Sequence, residues 1–244
     1  MSPAPTLEVS ELRAGYARGV DILSGVSLKA EQDSVSLVIG PNGAGKSTLL
    51  RSIFGLLKPA AGRVRFRGSD VTGASPSTLK AAGVSYVTQE INSFPLLTVE
   101  ENLLMGAWTF RRDGPRLRRQ LERVHATFPV LAAKRRERAG SLSGGQGRML
   151  SVARELMSSP SLLLIDEPTA GLAPNMVDEV YAVFARLRTA TGAAMLLVEQ
   201  NVEEALPLAG HVYLMHLGRV KAEGPGAEFS SARVRALVQE CLLG

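Results

Sequence analysis

The pattern of apolar and polar positions changes its period along the chain. In the first ninety residues, "VSLVIG" (35–40) is a continuous apolar run that ends at glycine, "RVRFRG" (63–68) alternates, and "GVSYVTQ" (83–89) is rich in β-formers. Short runs with a period of two, or with no polar interruption, predict β-strands. This part of the chain is therefore predicted to consist mainly of strands.

From Thr98 the pattern becomes helical. "TVEEN" places Glu101 three residues after Thr98, the spacing of a capping box, which satisfies free backbone donors at a helix start. A second helix is predicted over residues 115–128, where apolar side chains recur at helical spacing between two prolines. That stripe, which we interpret as core packing, consists of Leu117, Leu121, Val124 and Phe128.

The last third of the chain alternates between the two kinds of element. "SLLLID" (161–166) and "AAMLLV" (193–198) predict buried strands, "PNMVDEVYAVFARLR" (174–188) predicts an amphipathic helix, and residues 211–224 predict a hairpin that turns near Gly218. Strands that alternate with helices are typical of a parallel sheet covered by helices. The predicted fold class is α/β.

Composition narrows the class of protein. The 244 residues, 45 % of them hydrophobic, can bury a substantial core. No apolar run approaches the roughly 20 residues that span a bilayer, and the first residues lack a secretory pattern, so we expect a cytoplasmic protein. The single cysteine, Cys241, excludes an internal disulfide and has no Cys/His cluster around it for a metal site.

The net charge of +5 is concentrated in two arginine-rich stretches, 111–119 and 134–138. Such stretches could face acidic lipid headgroups or nucleotide phosphates. A solvated helix face explains them equally well.

The strongest chemical signal is "GPNGAGKST" (40–48), which fits the pattern of a phosphate-binding loop between a predicted strand and a predicted helix. Glycines let backbone N–H groups turn towards phosphates, and the helix dipole favours negative charge. Lys46 would contact the β- and γ-phosphates, and Ser47 would bind Mg²⁺. The predicted nucleotide-binding residues here are Gly40, Pro41, Asn42, Gly43, Ala44, Gly45, Lys46, Ser47 and Thr48.

A second signal is "LLLIDEP" (162–168), an apolar strand that ends in two carboxylates. Because neighbouring side chains of a strand point to opposite faces, Asp166 and Glu167 can take different roles. Asp166 can hold the Mg²⁺ shell, and Glu167 can polarise a water for attack on the γ-phosphate. These two motifs together predict an ATP- or GTP-binding protein without deciding its class.

"LSGGQ" (142–146) distinguishes between the classes of nucleotide-binding protein. With this motif, the whole chain resembles the ATP-binding cassette (ABC) ATPases, and its motifs follow the order expected for that family. The resemblance implies a P-loop NTPase cassette with a mostly parallel RecA-like core, an antiparallel β subdomain and an α-helical subdomain inserted at about 93–158. It also implies that the signature binds the γ-phosphate of a nucleotide held by another subunit. Its residues are Leu142, Ser143, Gly144, Gly145 and Gln146.

Further positions follow from the same resemblance. Tyr16 matches the aromatic residue that stacks on adenine, and Gln89 matches the glutamine that touches Mg²⁺ and the attacking water. Ala173 stands where an aspartate normally reaches across the dimer interface, and Gln200 stands at the switch histidine. An amide can donate to phosphate and accept from water, but it cannot become a cation.

We therefore predict that Glu167 carries the base role without a histidine partner. An alternative for the same stretch is structural: Gln200 merely begins a loop, and Asn201 with Glu204 caps the following helix. Both can hold, since Asn201 can cap while Gln200 faces the site.

"GLAP", "LVEQN" and "FPLLTVEENL" (94–103) are similar to the LivF-type ATPases of branched-chain amino acid importers. This similarity implies ATP and Mg²⁺ as ligands, a second ABC ATPase subunit and membrane permease subunits as partners, and an external solute-binding protein in the complex. It also implies a peripheral position on the cytoplasmic face of the membrane. The expected docking surface is the Gln89 loop with the 94–135 region, where Phe94 and Leu96 are candidate contacts.

Two other functions are compatible with a phosphate loop, besides that of an importer ATPase. A soluble ABC ATPase acting on nucleic acid or ribosomes would use the basic stretches, but such proteins usually carry two cassettes or a long coiled-coil insertion, so no nucleic-acid partner is expected. A P-loop small-molecule kinase would require "LSGGQ" to be accidental. The sequence leaves open a homodimer or a heterodimer, and a branched-chain amino acid, urea or an amide as substrate.

Overall fold

The structure is a computed structural model in which residues 4–17 and 19–243 are described. Among these, the side chains of Asn175 and of residues 241–243 are not described. The thiol of Cys241, expected to be free, therefore lies outside the described side chains.

Strands and helices follow one another along the whole described chain. In chain order they are β1 (Leu7–Ala14), β2 (Leu23–Ala30), β3 (Val35–Ile39), α1 (Lys46–Ile53), β4 (Ala61–Phe66), β5 (Ser69–Asp70), α2 (Pro76–Ala82), β6 (Val84–Val87), α3 (Val99–Gly106), α4 (Gly114–Thr127), α5 (Pro129–Ala133), α6 (Gly144–Leu156), β7 (Leu162–Asp166), α7 (Pro174–Thr191), β8 (Ala194–Val198), α8 (Val202–Ala205), β9 (His211–His216), β10 (Arg219–Pro225) and α9 (Ser231–Leu243). Short 3₁₀ turns lie at Trp108–Phe110, Ala139–Ser141, Leu206–Leu208 and Gly226–Glu228.

Within the described residues the strands form two sheets. One has four strands in the order β2-β1-β4-β5, and the pairings within it are antiparallel. The other has six strands in the order β10-β9-β3-β8-β7-β6, parallel except for the β9–β10 hairpin. The predicted α/β fold, with a mostly parallel core sheet and a separate antiparallel sheet, is confirmed.

The register of the parallel sheet brings the carboxyl ends of its strands to one edge. Val198 of β8 lies opposite both Val38 of β3 and Asp166 of β7, and Val87 of β6 lies opposite Ile165. Ligands of such sheets bind beyond the carboxyl ends of the strands. The segments that follow β3, β6, β7 and β8 are therefore the ones that can build a common site.

Two hydrophobic cores flank the parallel sheet. Leu37 and Ile39 of β3 face a core shared with the helices α3 to α9, whereas Val38 faces a core shared with the antiparallel sheet and α1. This division follows from the alternation of side chains along a strand. Both faces of the central strands are buried, which is why these strands are continuously apolar in sequence.

The region between β6 and β7 is helical, as predicted. The Thr98 capping box is present: Glu101 N–H donates to Thr98 Oγ1 at 3.2 Å, and Thr98 N–H donates to Glu101 Oε2 at 2.7 Å. The predicted apolar stripe of α4 is core packing, since Val124 and Phe128 are buried and the two leucines pack against the same core. The subdomain boundary at about 93–158 stays a prediction.

Several predicted ends are wrong by one to three residues. The second predicted strand runs over Ala61–Phe66 instead of 63–68, because Arg67 and Gly68 have φ values of 50° and 79° and turn the chain into β5. The third ends at Val87, so Gln89 lies beyond the strand. The helix predicted to end at 188 continues to Thr191.

The helical region also carries an excess of positive charge. Residues 108–138, which we call the basic segment, contain ten arginines and lysines against three acidic residues. Its net charge of +7 exceeds the +5 of the whole chain. Most of its arginines are exposed, and Arg111 stacks over the exposed Trp108 ring at 3.8 Å. Across the described residues, no helix is both long enough and apolar enough to cross a bilayer.

Candidate functional site

The phosphate loop connects β3 to α1 and turns at its glycines. Gly45, at the N-cap of α1, has a φ of 98°, and a Cβ on Gly40 would collide with the carbonyl oxygen of Met215. In the described structure no side chain caps α1, so the N–H groups of its first turn remain available. A helix start of this kind binds anions such as phosphate.

Lys46 is folded into this loop. Its Nζ donates to the carbonyl oxygens of Gly40 at 2.8 Å and Pro41 at 3.2 Å, and lies 3.8 Å from Glu167 Oε1. Burial lowers the pKa of Lys46, while the carboxylates of Glu167 and Asp166 oppose that shift. The ammonium is therefore held at the loop next to two negative groups, where a phosphate would meet it.

Asp166 lies at the end of β7 beside the phosphate loop. Ser47 Oγ donates to Asp166 Oδ1 at 3.0 Å, and the hydroxyl of Tyr86 donates to Oδ2 at 2.9 Å. Burial raises the pKa of Asp166, and these two hydrogen bonds oppose the shift. The Ser47 hydroxyl and the Asp166 carboxylate thus lie within hydrogen-bonding distance of each other.

This donor set fits Mg²⁺. That ion prefers oxygen ligands and is usually held by one or two carboxylates together with waters and substrate phosphates. Ser47 and Asp166 supply such oxygens, and Gln89 lines the adjoining cavity. No cluster of three or more His, Cys, Asp or Glu side chains suited to a metal occurs in the described part of the chain. An ion here would therefore depend on phosphate oxygens as well.

Glu167 is the focus of the site. It is 6 % exposed; Gln200 Nε2 donates to its Oε1 at 2.7 Å, and Gln89 Nε2 donates to its Oε2 at 3.0 Å. The prediction that Asp166 and Glu167 take different roles because they point to opposite faces of one strand is wrong in its reason. The strand β7 ends at Asp166, and Glu167 lies beyond it with a left-handed φ of 41°. Such a backbone is strained for a residue other than glycine and is typical of functional sites.

The alternative interpretation of the segment after β8 is only half correct. Asn201 occupies the N-cap position of α8, but its side chain makes no cap hydrogen bond within the described structure, so the predicted cap with Glu204 is wrong. Asn201 Nδ2 donates instead to Thr169 Oγ1 at 3.0 Å, because the loop after β7 offers that acceptor. Gln200 faces the site, as predicted.

Many of the predicted site residues line two adjacent cavities, while Gly40 and Pro41 line a third. One, of about 400 Å³, is lined by the phosphate loop together with Lys46, Gln89, Glu167 and Gln200. The other, of about 480 Å³, contains Tyr16, whose ring is 57 % exposed and whose hydroxyl accepts from Arg51 Nη1 at 3.1 Å. Gln89 lines both cavities. The roles of these residues, including stacking on adenine, stay predictions.

The signature motif lies apart from the phosphate-loop cavity. Ser143 begins α6 in a capping box with Gln146, with N–H to oxygen distances of 3.3 and 3.2 Å. Ser143 and Gly144 are exposed, whereas Gly145 is buried against Met176. Among the described residues, the lining of the phosphate-loop cavity includes none of the signature. Its role towards another subunit's nucleotide stays a prediction.

Sequence reasoning missed three residues that support the site. Tyr86 binds Asp166, Arg148 donates to the carbonyl oxygens of Thr88 and Gln89, and Glu199 accepts hydrogen bonds from the backbone of Gln200. A signal was present for the two charged residues, since each is adjacent to an apolar run that a sheet or helix must bury. Neither matches a motif, so the spacing of motifs did not show them.

Three comparisons identify the family. The model of the ABC transporter family matches residues 23–170. The chain is 39 % identical to the probable branched-chain amino acid transport ATP-binding protein LivF of Archaeoglobus fulgidus, over 91 % of this chain and 93 % of that protein. It is 38 % identical to the high-affinity branched-chain amino acid transport ATP-binding protein BraG of Pseudomonas aeruginosa, over 87 % and 90 %.

Solved structures agree with these relatives. An ATP-binding cassette of an ABC transporter superposes with a TM-score of 0.85 at 30 % identity, covering 99 % of this chain and all of that one. The same cassette in its ADP conformation superposes with a TM-score of 0.83 at 28 % identity and equal coverage. The motifs, the fold and these matches agree: the chain belongs to the ABC transporter family, as an ATP-binding cassette that hydrolyses ATP.

Proposed function

We propose that this cassette is the ATPase subunit of an importer for branched-chain amino acids. The observation that carries the hydrolytic part is the position of Glu167, buried at the phosphate-loop cavity and held by two glutamine amides. The substrate class is supported by the two relatives named above, both of which are branched-chain amino acid transport ATP-binding proteins.

In this proposal each residue acts on the triphosphate through an interaction that its position allows. The N–H groups at the start of α1 and the ammonium of Lys46 hold the β- and γ-phosphates. Ser47 and Asp166 would hold Mg²⁺, which supplies positive charge against the phosphate oxygens. Glu167 accepts a proton from the attacking water, and the amides of Gln89 and Gln200 keep its carboxylate in place. This is general base catalysis with orientation by hydrogen bonds.

The second half of the site comes from another cassette. Ser143 and Gly144 of the signature are exposed at a helix start, and among the described residues the signature does not line its own chain's cavity, which supports contact with a nucleotide on a second cassette, identical or related. Ala173, at the N-cap of α7, has no side-chain acceptor to offer across such an interface. The contact normally made there by an aspartate is therefore absent from this subunit's side.

The membrane partner is a permease whose surface covers exposed apolar side chains of the helical region. Leu96 is 79 % exposed, and Phe94 and Met105 are nearly half exposed. Asn102 fixes the loop to α3 by accepting from Phe94 N–H at 2.8 Å and donating to its carbonyl at 3.0 Å. An anchored apolar surface is typical of a protein contact. The cassette then works at the cytoplasmic face of the membrane, and an external binding protein delivers substrate.

Transport by the reconstituted complex tests the proposal. Co-purified with its permease subunits and the second cassette, and reconstituted in proteoliposomes with the external binding protein, the cassette should drive ATP-dependent uptake of leucine, isoleucine or valine. Leu96→Glu should abolish uptake and leave the ATPase activity of the free cassette unchanged. Leu217→Glu, at an equally exposed leucine in the β9–β10 turn, is the control and should transport normally. Uptake of urea alone would contradict the substrate class, and nuclease-sensitive, steeply salt-dependent binding would contradict the importer.

A further inference from the structure

The two glutamines that hold Glu167 are themselves held through their backbones. Gln89 lies two residues beyond the end of β6, and Gln200 lies two residues beyond the end of β8. Among the described residues neither segment has a strand partner at that point, so its backbone groups depend on side chains or water. In both cases the group that does so is a buried charge.

Arg148 fixes the first segment. It is 3 % exposed and reaches from α6 to the loop after β6, where Nη1 donates to the Thr88 carbonyl at 2.9 Å and Nη2 donates to the Gln89 carbonyl. The planar guanidinium can bind two successive carbonyl oxygens at once, which an ammonium cannot do in the same geometry. Burial lowers the pKa of Arg148, and the carboxylate of Glu199 opposes that shift.

Glu199 fixes the second segment and joins it to the loop that carries Glu167. It is 1 % exposed, and its Oε2 accepts from the N–H groups of Gln200 at 2.9 Å and Asn201 at 3.4 Å. Its Oε1 accepts from the N–H of Thr169 at 3.3 Å and from the Thr169 hydroxyl at 2.8 Å. All four contacts are donors, the arrangement that suits an acceptor-only carboxylate.

These two charges lack a direct counter-charge. Among the described residues, neither Arg148 nor Glu199 makes an ion pair within 4.0 Å; the ion pairs there involve other residues. Glu199 instead faces the buried hydroxyl of Tyr181, whose pKa is raised by burial and by that carboxylate. Removing charged groups from water is unfavourable unless donors and acceptors replace the water. Here the replacements are backbone groups of the loops after β6, β7 and β8 together with the Thr169 hydroxyl, while Arg148 Nε is buried without a hydrogen-bond partner among the described residues.

We propose that Arg148 and Glu199 are positioning residues for ATP hydrolysis, one for each glutamine. Arg148 holds the backbone of Gln89, and Glu199 holds the backbone of Gln200, so that the two amides meet the oxygens of Glu167. The inference rests on the proposed role of Glu167 as the base. Because Arg148 belongs to the helix that begins with the signature, it also links that motif directly to Gln89.

Double-mutant cycles on the full chain, in the dimer that hydrolyses ATP, test this positioning. Arg148→Met and Glu199→Gln should each lower the single-turnover hydrolysis rate about 10-fold, because misplacement of a catalytic group costs rate. Nucleotide affinity, measured with a fluorescent ATP analogue, should change less than about 2-fold. In a Gln89→Ala background Arg148→Met should cost less than about 2-fold more, as should Glu199→Gln in a Gln200→Ala background.

A second buried glutamate provides the matched control. Glu155 is 7 % exposed and accepts from Lys80 Nζ at 2.7 Å, away from the loops of the site, so Glu155→Gln should leave the rate unchanged. Arg148→Lys keeps a donor and should restore part of the rate. If thermal denaturation shows that Glu199→Gln is unfolded, Thr169→Val takes its place, because it removes one donor to Glu199. The rate loss in Thr169→Val should likewise be less than about 2-fold in a Gln200→Ala background.

The possible failures can be told apart. If Glu167→Gln hydrolyses ATP at the parent rate, the proposed base is wrong. A second failure would leave Glu167→Gln inactive while the rate losses in each double mutant equal the product of the losses in its two single mutants, for Arg148 with Gln89 and for Glu199 with Gln200. The positioning role would then be overturned, and the role of Glu167 as the base would stand. A rate loss in Glu155→Gln equal to that in Glu199→Gln would also overturn positioning, because any buried glutamate would then give the same result.

Discussion

Replacing Glu167 with glutamine removes one negative charge and almost no volume. The new side chain presents one oxygen and one NH₂ group to the two amide donors that now bind it at 2.7 and 3.0 Å, so one hydrogen bond is lost and two donors face each other. Both donors belong to exposed glutamines, so the one left unpaired can turn to water, and the loss is that of one hydrogen bond to a charged group, about 1.5–3 kcal/mol. The loops should therefore loosen slightly while the fold survives.

The electrostatic change is larger. Lys46 Nζ lies 3.8 Å from the carboxylate, a separation worth about 4 kcal/mol for unit charges at an effective dielectric constant of about 20. Without Glu167, the pKa of Lys46 should fall further, since burial already lowers it and the carboxylate opposes that shift. A γ-phosphate would replace the lost negative charge, so ATP should bind at least as tightly as in the parent chain.

The rate is expected to fall far more than the affinity. Loss of a general base costs about 10²–10⁴-fold, or about 3–5 kcal/mol in the barrier. Single-turnover phosphate release measures the rate, and equilibrium binding of a fluorescent ATP analogue measures the affinity. Undiminished hydrolysis by Glu167→Gln while Gln200→Ala is inactive would refute the reasoning, as would loss of ATP binding in a variant with parent-like thermal unfolding.

Four further outcomes can be measured directly. Gln200→His should hydrolyse ATP at the parent rate or faster and gain a pH dependence near the histidine pKa of about 6.5, which a glutamine cannot have; a folded but inactive variant would show that the site requires the amide. Lys46→Ala should abolish hydrolysis. Without nucleotide, the melting temperature of the parent chain relative to Lys46→Met should rise between neutral pH and 10.5: because the folded-state pKa of Lys46 lies below 10.5, its buried charge destabilises the fold most below that folded-state pKa, and this destabilisation vanishes as pH rises towards 10.5. Phe128→Ala, at a fully buried ring, should lower the free energy of unfolding in denaturant by about 3–5 kcal/mol and leave the rate per folded molecule unchanged.

The sequence predicts the parts of the fold that hydrophobic periodicity encodes. The strands of the parallel sheet are continuously apolar because both faces are buried, and the stripe on α4 follows from packing of one helix face. Strand and helix ends were less accurate, since they depend on left-handed backbone at residues such as Arg67. No period in the sequence reports a single dihedral angle.

The site was predictable only where a motif fixes chemistry. The phosphate loop and the two adjacent carboxylates, Asp166 and Glu167, follow from local sequence, but the left-handed backbone of Glu167 does not. Arg148 and Glu199 are next to apolar runs in the sequence but match no motif, and only the tertiary fold places them against the loops of Gln89 and Gln200. Asn201 shows the converse, because a correct local capping signal lost to a tertiary partner, Thr169.

The basic segment gives the molecule an asymmetric distribution of charge. Residues 108–138 carry +7, and the remainder of the chain therefore carries −2. In an electric field such a molecule experiences a torque, and near an anionic leaflet the torque turns the helical region towards the lipid. At 0.1 M salt the field reaches about 10 Å from the surface, so orientation precedes contact only over the last few water layers. If the chain is the importer subunit proposed above, its assembly on the membrane should then begin with the helical region forward, faster in dilute salt than in concentrated salt.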